Sequence, residues 1–257
     1  MLINAATGER LTSGLAVEPL RAGVGPSWSR RALDVAVSLG ALLLLAPVLL
    51  LVAVAVACGS PGSILFRQVR IGQGRTPFVI YKFRTMRPGD GGPEVTVADD
   101  LRVTPVGRLL RATGLDELPQ LLNILRGDMT LVGPRPETPA LGRRYPRVCA
   151  VVFDYRPGLT GPSQVRLRDK DVLPGGSRTK LDVEEHYLNH FVPMRTALDL
   201  DYLDDPSLRR TVGFLLETAA YLLRPVGRAL RRRWSRLAGM RARPAAPAAE
   251  RAPERSR

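Results

Sequence analysis

A long apolar run near the start of the chain limits its possible folds more than any other feature. No charged residue occurs between Asp34 and Arg67, and residues 35–58 are almost entirely aliphatic. At about 1.5 Å per residue, a helix over this run reaches across the roughly 30 Å hydrocarbon core of a bilayer. The run starts too late and is too long for a cleavable signal peptide. The sequence therefore predicts a membrane helix within residues 28–60.

Two features of this helix bear on its topology. Pro47 lies near its middle and removes a backbone hydrogen bond, which favours a bend. Both flanks are basic, with Arg30 and Arg31 before the run and Arg67 the first of several basic residues after it. The positive-inside rule then assigns both ends to the cytoplasm. A re-entrant helix broken at Pro47 meets both observations, and a kinked single span is the alternative of equal weight.

The remaining residues divide by composition. Residues 61–223 are predicted to form a cytoplasmic catalytic domain, whereas residues 1–27 and 224–257 are predicted to be poorly ordered. Residues 224–257 hold 11 arginines and two acidic residues, within a formal net charge of +14 for the whole chain. Such a tail suits anionic lipid. Because no aromatic interleaving or binding motif accompanies it, no nucleic acid partner is predicted.

Alternating residues predict a small β-hairpin after the membrane helix. A short strand at residues 64–66 is followed by a turn at Gly72-Gln73-Gly74 and a second strand over residues 78–86. Lys82 and Arg84 project from the same face of that second strand. Residues 148–153 predict one more short strand. The expected fold class is α+β: a helix-rich monotopic membrane protein with a small β-hairpin.

Asp116 and Glu117 form an acidic pair just before Pro119 and an apolar helical run. Proline is tolerated in the first turn of a helix, so the pair is expected at a helix N-terminus. The free N–H groups there should keep Asp116 ionised and fixed in direction, as a carboxylate nucleophile or metal ligand requires. The pair taken alone is better explained as an N-cap and a first-turn acid; the residues that follow it favour the functional interpretation.

Basic residues near this pair favour phosphate chemistry. Arg135 lies between Pro134 and Pro136, which stiffen the backbone and point its guanidinium in a set direction. A guanidinium held in this way suits bidentate binding of a phosphate. Arg108 and Arg111 share one face of the preceding helix and lead towards Asp116. Carboxylates beside a rigidly held arginine predict phosphoryl transfer.

Taken in order, these motifs resemble those of the bacterial sugar transferase family, the monotopic polyprenyl-phosphate phosphoglycosyl transferases. The resemblance spans roughly residues 28–223. It is carried by seven motifs in the family's order: SPGSILFRQ at 60–68, YKFRTM at 81–86, GRLLR at 107–111, LDELPQ at 115–120, GDM at 127–129, GPRP at 133–136 and PGLTG at 157–161.

The resemblance implies transfer of a phospho-sugar from a UDP-sugar to undecaprenyl phosphate, with release of UMP and a requirement for Mg²⁺. It implies Asp116 as the nucleophile that forms a covalent phospho-sugar enzyme and as a metal ligand, with Glu117 assisting the acceptor or shaping the metal site. The residues expected to hold phosphate are Lys82, Arg84, Arg111 and Arg135. Such an enzyme would initiate polysaccharide or glycan assembly at the cytoplasmic face of the cell membrane.

The resemblance also implies a re-entrant membrane helix broken at a Ser-Pro pair, where this chain has Ala46-Pro47. Two other interpretations make different predictions. A non-catalytic, membrane-anchored scaffold would bind lipid through its arginines without turnover. A single-pass protein would place the two flanks of the apolar run on opposite sides of the membrane.

Overall fold

The computed structural model describes residues 27–87, 100–167 and 179–222. Within these ranges the chain is helix-rich and contains two small two-stranded sheets. The α-helices are α1 (Trp28–Gly59), α2 (Pro105–Thr113), α3 (Leu121–Arg126), α4 (Pro139–Gly142), α5 (Pro162–Leu167), α6 (Lys180–His186), α7 (Val192–Asp204) and α8, described over residues 208–222. The strands are β1 (Leu65–Ile71), β2 (Pro77–Phe83), β3 (Thr130–Val132) and β4 (Gly158–Thr160). The predictions for residues 1–26 and 224–257 lie outside the described residues.

Helix α1 extends over 32 residues and is long and apolar enough to cross a membrane. Its backbone is helical on both sides of Pro47. The prediction of a helix broken at Pro47 is therefore corrected to one continuous helix that contains a proline. A single proline removes one i→i−4 hydrogen bond, and the bonds of the neighbouring turns keep the segment helical.

One stripe of α1 packs on the rest of the protein, and the opposite face is bare. Arg30, Asp34, Ser38, Val52 and Val56 are buried along the stripe. On the bare face, leucines are largely exposed, up to 80% for Leu44 and 70% for Leu43 and Leu51. A continuous apolar face left open to solvent is typical of a membrane contact. The helix is thus compatible with the predicted membrane anchoring.

Polar side chains attach the N-terminal end of α1 to the domain. The buried carboxylate of Asp34 accepts hydrogen bonds from Thr130 Oγ1 at 2.7 Å and from the Leu131 N–H at 3.0 Å. Arg31 donates to the backbone carbonyls of Ile124 at 2.6 Å and Leu125 at 2.8 Å, at the C-terminal end of α3. The two Arg31 bonds satisfy carbonyls that the end of α3 leaves without intrahelical partners.

The C-terminal end of α1 contacts the same domain through apolar packing. Val52 and Val56 form a buried cluster with Phe83 at the end of β2 and Leu110 of α2. The two ends of α1 are about 30 residues apart, and both lie against a single packed body.

The β1–β2 hairpin confirms the predicted hairpin. Its antiparallel register pairs Leu65 with Phe83 and Ile71 with Pro77, and the connecting turn uses Gly74 at φ 64°. The second strand ends at Phe83, three residues earlier than predicted. Residues 148–153 do not form the predicted strand, because the chain makes a 3₁₀ helix at Ala150–Asp154.

The central core joins the hairpin to α3, β3, α7 and α8. Its buried members are Ile80, Leu121, Ile124, Met129, Leu131, Val132, Tyr202, Leu203 and Phe214. Strand β3 runs parallel to β4, with Thr130 opposite Gly158 and Val132 opposite Thr160. This core places the acidic pair, the hairpin and the Gly133–Glu137 segment beside one another.

Candidate active site

The acidic pair lies on a short 3₁₀ helix between α2 and α3. Gly114, in the left-handed conformation at φ 71°, ends α2 and starts the 3₁₀ helix Leu115–Gln120. Asp116 and Glu117 occupy its first turn, and the Glu117 N–H bonds to the Gly114 carbonyl at 3.2 Å. The sequence therefore placed the pair correctly at a helical start. The turn is 3₁₀ rather than α, which suits Pro119, since that residue has no N–H for an α-helical bond.

Asp116 is buried, with 7% of its surface exposed. Burial and the neighbouring Glu117 carboxylate raise the pKa of Asp116 to about 6, whereas Lys82, Arg111 and Arg135 act to lower it. The helix start was predicted to keep Asp116 ionised, but burial has the larger effect on its pKa. At pH 7 the carboxylate is still mainly ionised, and it is poorly hydrated, as a nucleophile should be.

Three of the four predicted phosphate-binding residues surround Asp116 electrostatically. Arg135 donates from Nη2 to Glu117 Oε1 at 2.9 Å, and Arg111 donates from Nε to Thr85 Oγ1 at 2.9 Å. Burial and the nearby Arg70 guanidinium lower the pKa of Lys82 to about 8. The site is thus a carboxylate pair, with Asp116 buried and Glu117 partly exposed, among cations from β2, α2 and the segment after β3.

Arg84 differs from the other three. It follows the end of β2, and its Nη2 donates to the Ser60 carbonyl at 2.6 Å, just beyond the C-terminus of α1. The charged groups with the largest effects on the pKa of Asp116 are Glu117, Lys82, Arg111 and Arg135. Because β2 ends at Phe83, the alternation that put Arg84 beside Lys82 stops before it. Arg84 thus joins α1 to the hairpin, and its role in holding phosphate stays a prediction.

Asn123 and Arg70 support the site and were missed by the sequence analysis. Asn123, fully buried on α3, donates to the Val79 carbonyl at 2.7 Å and accepts from the Tyr81 N–H at 3.2 Å. It therefore attaches α3, which directly follows the 3₁₀ helix of the acidic pair, to β2 next to Lys82. Arg70 donates to the Pro136 carbonyl at 3.1 Å. Strand alternation could have placed Arg70 on the Lys82 face, but nothing local marks Asn123.

The donor set at the pair suits a lightly held magnesium ion. No cluster of three or more His, Cys, Asp or Glu side chains occurs within the described residues. Mg²⁺ commonly takes one or two protein carboxylates and completes its shell with substrate phosphates and water. Asp116 and Glu117 offer two adjacent carboxylates, and so they fit an ion that arrives with a diphosphate.

Comparison with known proteins identifies the family. The family model for bacterial sugar transferases matches residues 26–225. The chain belongs to the bacterial sugar transferase family. It is 46% identical over 200 residues to a UDP-glucose:undecaprenyl-phosphate glucose-1-phosphate transferase of Caulobacter vibrioides, covering 76% of this chain and 69% of that protein.

Two other relatives of this sugar transferase differ in length. The exopolysaccharide production protein PSS of Rhizobium leguminosarum is 41% identical over 63% of this chain and 86% of its own length. A UDP-glucose:undecaprenyl-phosphate glucose-1-phosphate transferase of Escherichia coli is 37% identical over 70% of this chain but only 37% of its own length. The family and the enzymatic nature of the chain predicted from its motifs are therefore confirmed.

Proposed function

We propose that this sugar transferase moves a phospho-sugar from a UDP-sugar to undecaprenyl phosphate, releases UMP and thereby initiates polysaccharide or glycan assembly. The observation that carries the proposal is the buried Asp116 carboxylate among Lys82, Arg111 and Arg135. The Caulobacter and Escherichia relatives are named for UDP-glucose as donor and undecaprenyl phosphate as acceptor, and these names suggest the two substrate classes. An Aeromonas hydrophila relative is named for N-acetylgalactosamine instead, so the sugar is left to experiment.

The proposed reaction has two steps at one phosphorus atom. An Asp116 oxygen attacks the β-phosphorus of the donor, the bond from that phosphorus to the bridging oxygen breaks, and UMP leaves with the bonding electrons. A phosphate oxygen of undecaprenyl phosphate then attacks the same phosphorus and frees Asp116. This division replaces one transfer between two bulky substrates by two easier displacements.

The cations of the site supply most of the expected catalysis. Phosphoryl transfer depends on positioning and on neutralising charge that develops on phosphate oxygens. Lys82, Arg111 and Arg135 would hold the two donor phosphates, while Glu117 orients Arg135 through their ion pair. Mg²⁺ bound at Asp116 would neutralise further charge on the diphosphate.

A cavity between α1 and the acidic pair suits the acceptor's chain. It has a volume of about 490 Å³, and its walls include Leu42 and Leu49 of α1, Phe83 of the hairpin, and Pro119 and Leu122 beside the pair. Apolar walls that start three residues from Asp116 and continue to the membrane helix fit a polyprenyl chain whose phosphate reaches the carboxylate.

The direct test is UMP release by membranes that contain the full chain. UMP should appear over many turnovers only when a UDP-sugar, undecaprenyl phosphate and Mg²⁺ are all present. Without undecaprenyl phosphate at most one UMP per enzyme should be released, and chelation of the metal should stop both. A panel of UDP-glucose, UDP-galactose and their N-acetylated forms would name the donor. Lipid binding without UMP release from any of these donors would favour the scaffold interpretation.

The contacts of α1 support a monotopic topology with both ends at the cytoplasmic face. A helix of 32 residues is about 48 Å long, yet its two ends contact one domain. Cysteines at Ser29 and Ser63, each introduced singly into a Cys58→Ser, Cys149→Ser background, should therefore react with an impermeant maleimide from the cytoplasmic side alone. Labelling of the two positions from opposite sides would establish a spanning helix instead.

The lowered pKa of Lys82 predicts how donor use depends on pH. Lys82 is protonated below about pH 8 and neutral above it, and an anionic diphosphate binds better to the protonated form. We expect the KM for the UDP-sugar to rise above pH 8, by up to about tenfold per pH unit. The Lys82→Arg enzyme keeps its charge, so its KM should stay flat between pH 7 and 9. If the KM of Lys82→Arg rises above pH 8 as it does in the wild type, Lys82 is excluded as the titrating group.

A further inference from the structure

A buried acidic residue lies two positions after Arg135 and takes no part in the proposed chemistry. Glu137 is 4% exposed and is held by three side chains from other parts of the fold. Tyr187 donates its hydroxyl to Glu137 Oε1, Arg195 Nη1 lies 3.1 Å from the same oxygen, and Tyr145 hydrogen-bonds to this carboxylate too. We call these four residues the Glu137 cluster.

Burying the charged groups of the Glu137 cluster costs free energy. A buried ion pair is often no more stabilising than apolar side chains of the same volume, because both charges lose their hydration. The Tyr187 hydroxyl also reaches the carboxylate from a π-helical turn, Tyr187–Phe191, between α6 and α7. Such turns are rare and frequently occur at functional sites. These two observations point to a role beyond filling space.

The Glu137 cluster fixes one end of the segment that carries Arg135. The Pro134 carbonyl accepts from the Gly158 N–H at 2.8 Å, and the Glu137 carbonyl accepts from the Ile71 N–H at 2.8 Å. Prolines on both sides of Arg135 restrict the backbone between these two anchors. The Glu137 side chain then joins this segment to α7 through Arg195.

The charge of Arg195 also acts on Arg135. Arg195 lies close enough to disfavour the positive charge of Arg135, while Glu137 and Glu117 favour it. Glu137 thus offsets a repulsion that would otherwise act on Arg135 from behind. Without Glu137, this repulsion would displace the Arg135 guanidinium, whose Nη2 lies 2.9 Å from Glu117 Oε1.

We propose that Glu137, held by Tyr145, Tyr187 and Arg195, is a positioning residue that fixes Arg135 against the donor phosphates. This inference rests on the proposed transferase activity. It assigns no contact with substrate to Glu137. A displacement of about 1 Å at a group that binds the reacting phosphate can cost on the order of 100-fold in rate.

A double-mutant cycle between Glu137 and Arg135 tests the proposal in the full-length, membrane-embedded enzyme. Glu137→Gln should lower kcat/KM for the donor by about ten- to 100-fold. In an Arg135→Lys background, whose point charge lacks the rigid fork, the same change should cost less than about threefold, because residues acting through one another are not additive. Equal losses in both backgrounds would overturn the proposal.

Two further variants separate positioning from general damage to the fold. Glu184→Gln removes another buried carboxylate paired with an arginine, Arg144, that lies outside the Glu137 cluster. It should lower the unfolding temperature but leave kcat/KM within about twofold of wild type. Tyr187→Phe removes one hydroxyl and folds more readily than Glu137→Gln. Its smaller loss of kcat/KM should also vanish in the Arg135→Lys background, and a loss that persists there would count against the proposal.

The proposed function and this inference fail in different ways. A wild-type enzyme that releases no UMP from any donor would remove the transferase proposal itself. A wild-type enzyme that turns over, with additive losses from Glu137→Gln and Arg135→Lys, would remove only the positioning role.

Discussion

Replacing Asp116 with asparagine is expected to abolish phospho-sugar transfer, with a loss of at least about 1,000-fold in kcat. The amide has nearly the same shape as the carboxylate but carries no charge with which to attack phosphorus. The three cations near Asp116 remain in the variant to bind the diphosphate, so at saturating Mg²⁺ the loss should fall on kcat rather than on donor binding. The measurement is UMP release in a single turnover with UDP-sugar, in the absence and presence of undecaprenyl phosphate.

A matched substitution shows whether the loss is specific to position 116. Asp201, on α7, pairs with Arg210 at 2.6 Å, and its side chain is 64% exposed. Asp201→Asn should keep wild-type turnover, because an exposed ion pair contributes little. An Asp116→Asn enzyme that retains more than about a tenth of wild-type activity would exclude Asp116 as nucleophile, since an amide cannot form the ester.

Gly158→Ala is expected to produce the largest loss of stability among single substitutions at the described glycines. A Cβ atom at Gly158 would lie 2.1 Å from the Gly133 nitrogen and 2.5 Å from the Thr160 oxygen. Both are backbone atoms, one directly after β3 and the other in β4, and neither can turn aside. Separating the strands should cost about 4 kcal/mol or more, and it should also displace the segment that carries Arg135.

The measurement for Gly158→Ala is thermal unfolding together with the yield of folded protein. Gly213→Ala is the control, because no atom lies within 4 Å of the added Cβ on α8. Alanine in a helix is favoured over glycine by up to about 1 kcal/mol, so this control should be neutral or slightly stabilised. A Gly158→Ala protein that unfolds within about 3 °C of wild type would mean that β3 and β4 are less tightly joined than they are in this structure.

Local patterns in the sequence predicted much of the architecture. The apolar run, the glycine turn of the hairpin, and the acidic pair before Pro119 each depend on residues close in sequence, and each appears where expected. Arg135, which lies between two prolines, also forms an ion pair with Glu117 of the acidic pair, and so it lies near the pair as predicted. In these cases, periodicity or fixed backbone geometry determines the outcome without help from distant contacts.

What the sequence did not reveal depends on long-range contacts. The role of Arg84 follows from the end of β2 at Phe83 and from the carbonyl of Ser60, 24 positions away. Glu137 acquires its partners from residues up to 58 positions later. No local pattern marks such pairs. The continuity of α1 through Pro47 has a different, local cause, because the hydrogen bonds of the neighbouring turns keep the segment helical.

The central claim is that the phospho-sugar is carried on Asp116 between the two steps. It is tested most directly by mixing the enzyme with UDP-sugar in the absence of undecaprenyl phosphate, quenching in acid and mapping the peptides by mass spectrometry. The account predicts a sugar-phosphate adduct on the peptide that contains Asp116, lost on addition of undecaprenyl phosphate and absent in Asp116→Asn. An enzyme that consumes donor and transfers sugar phosphate, yet carries the adduct at another residue or at none, would contradict it.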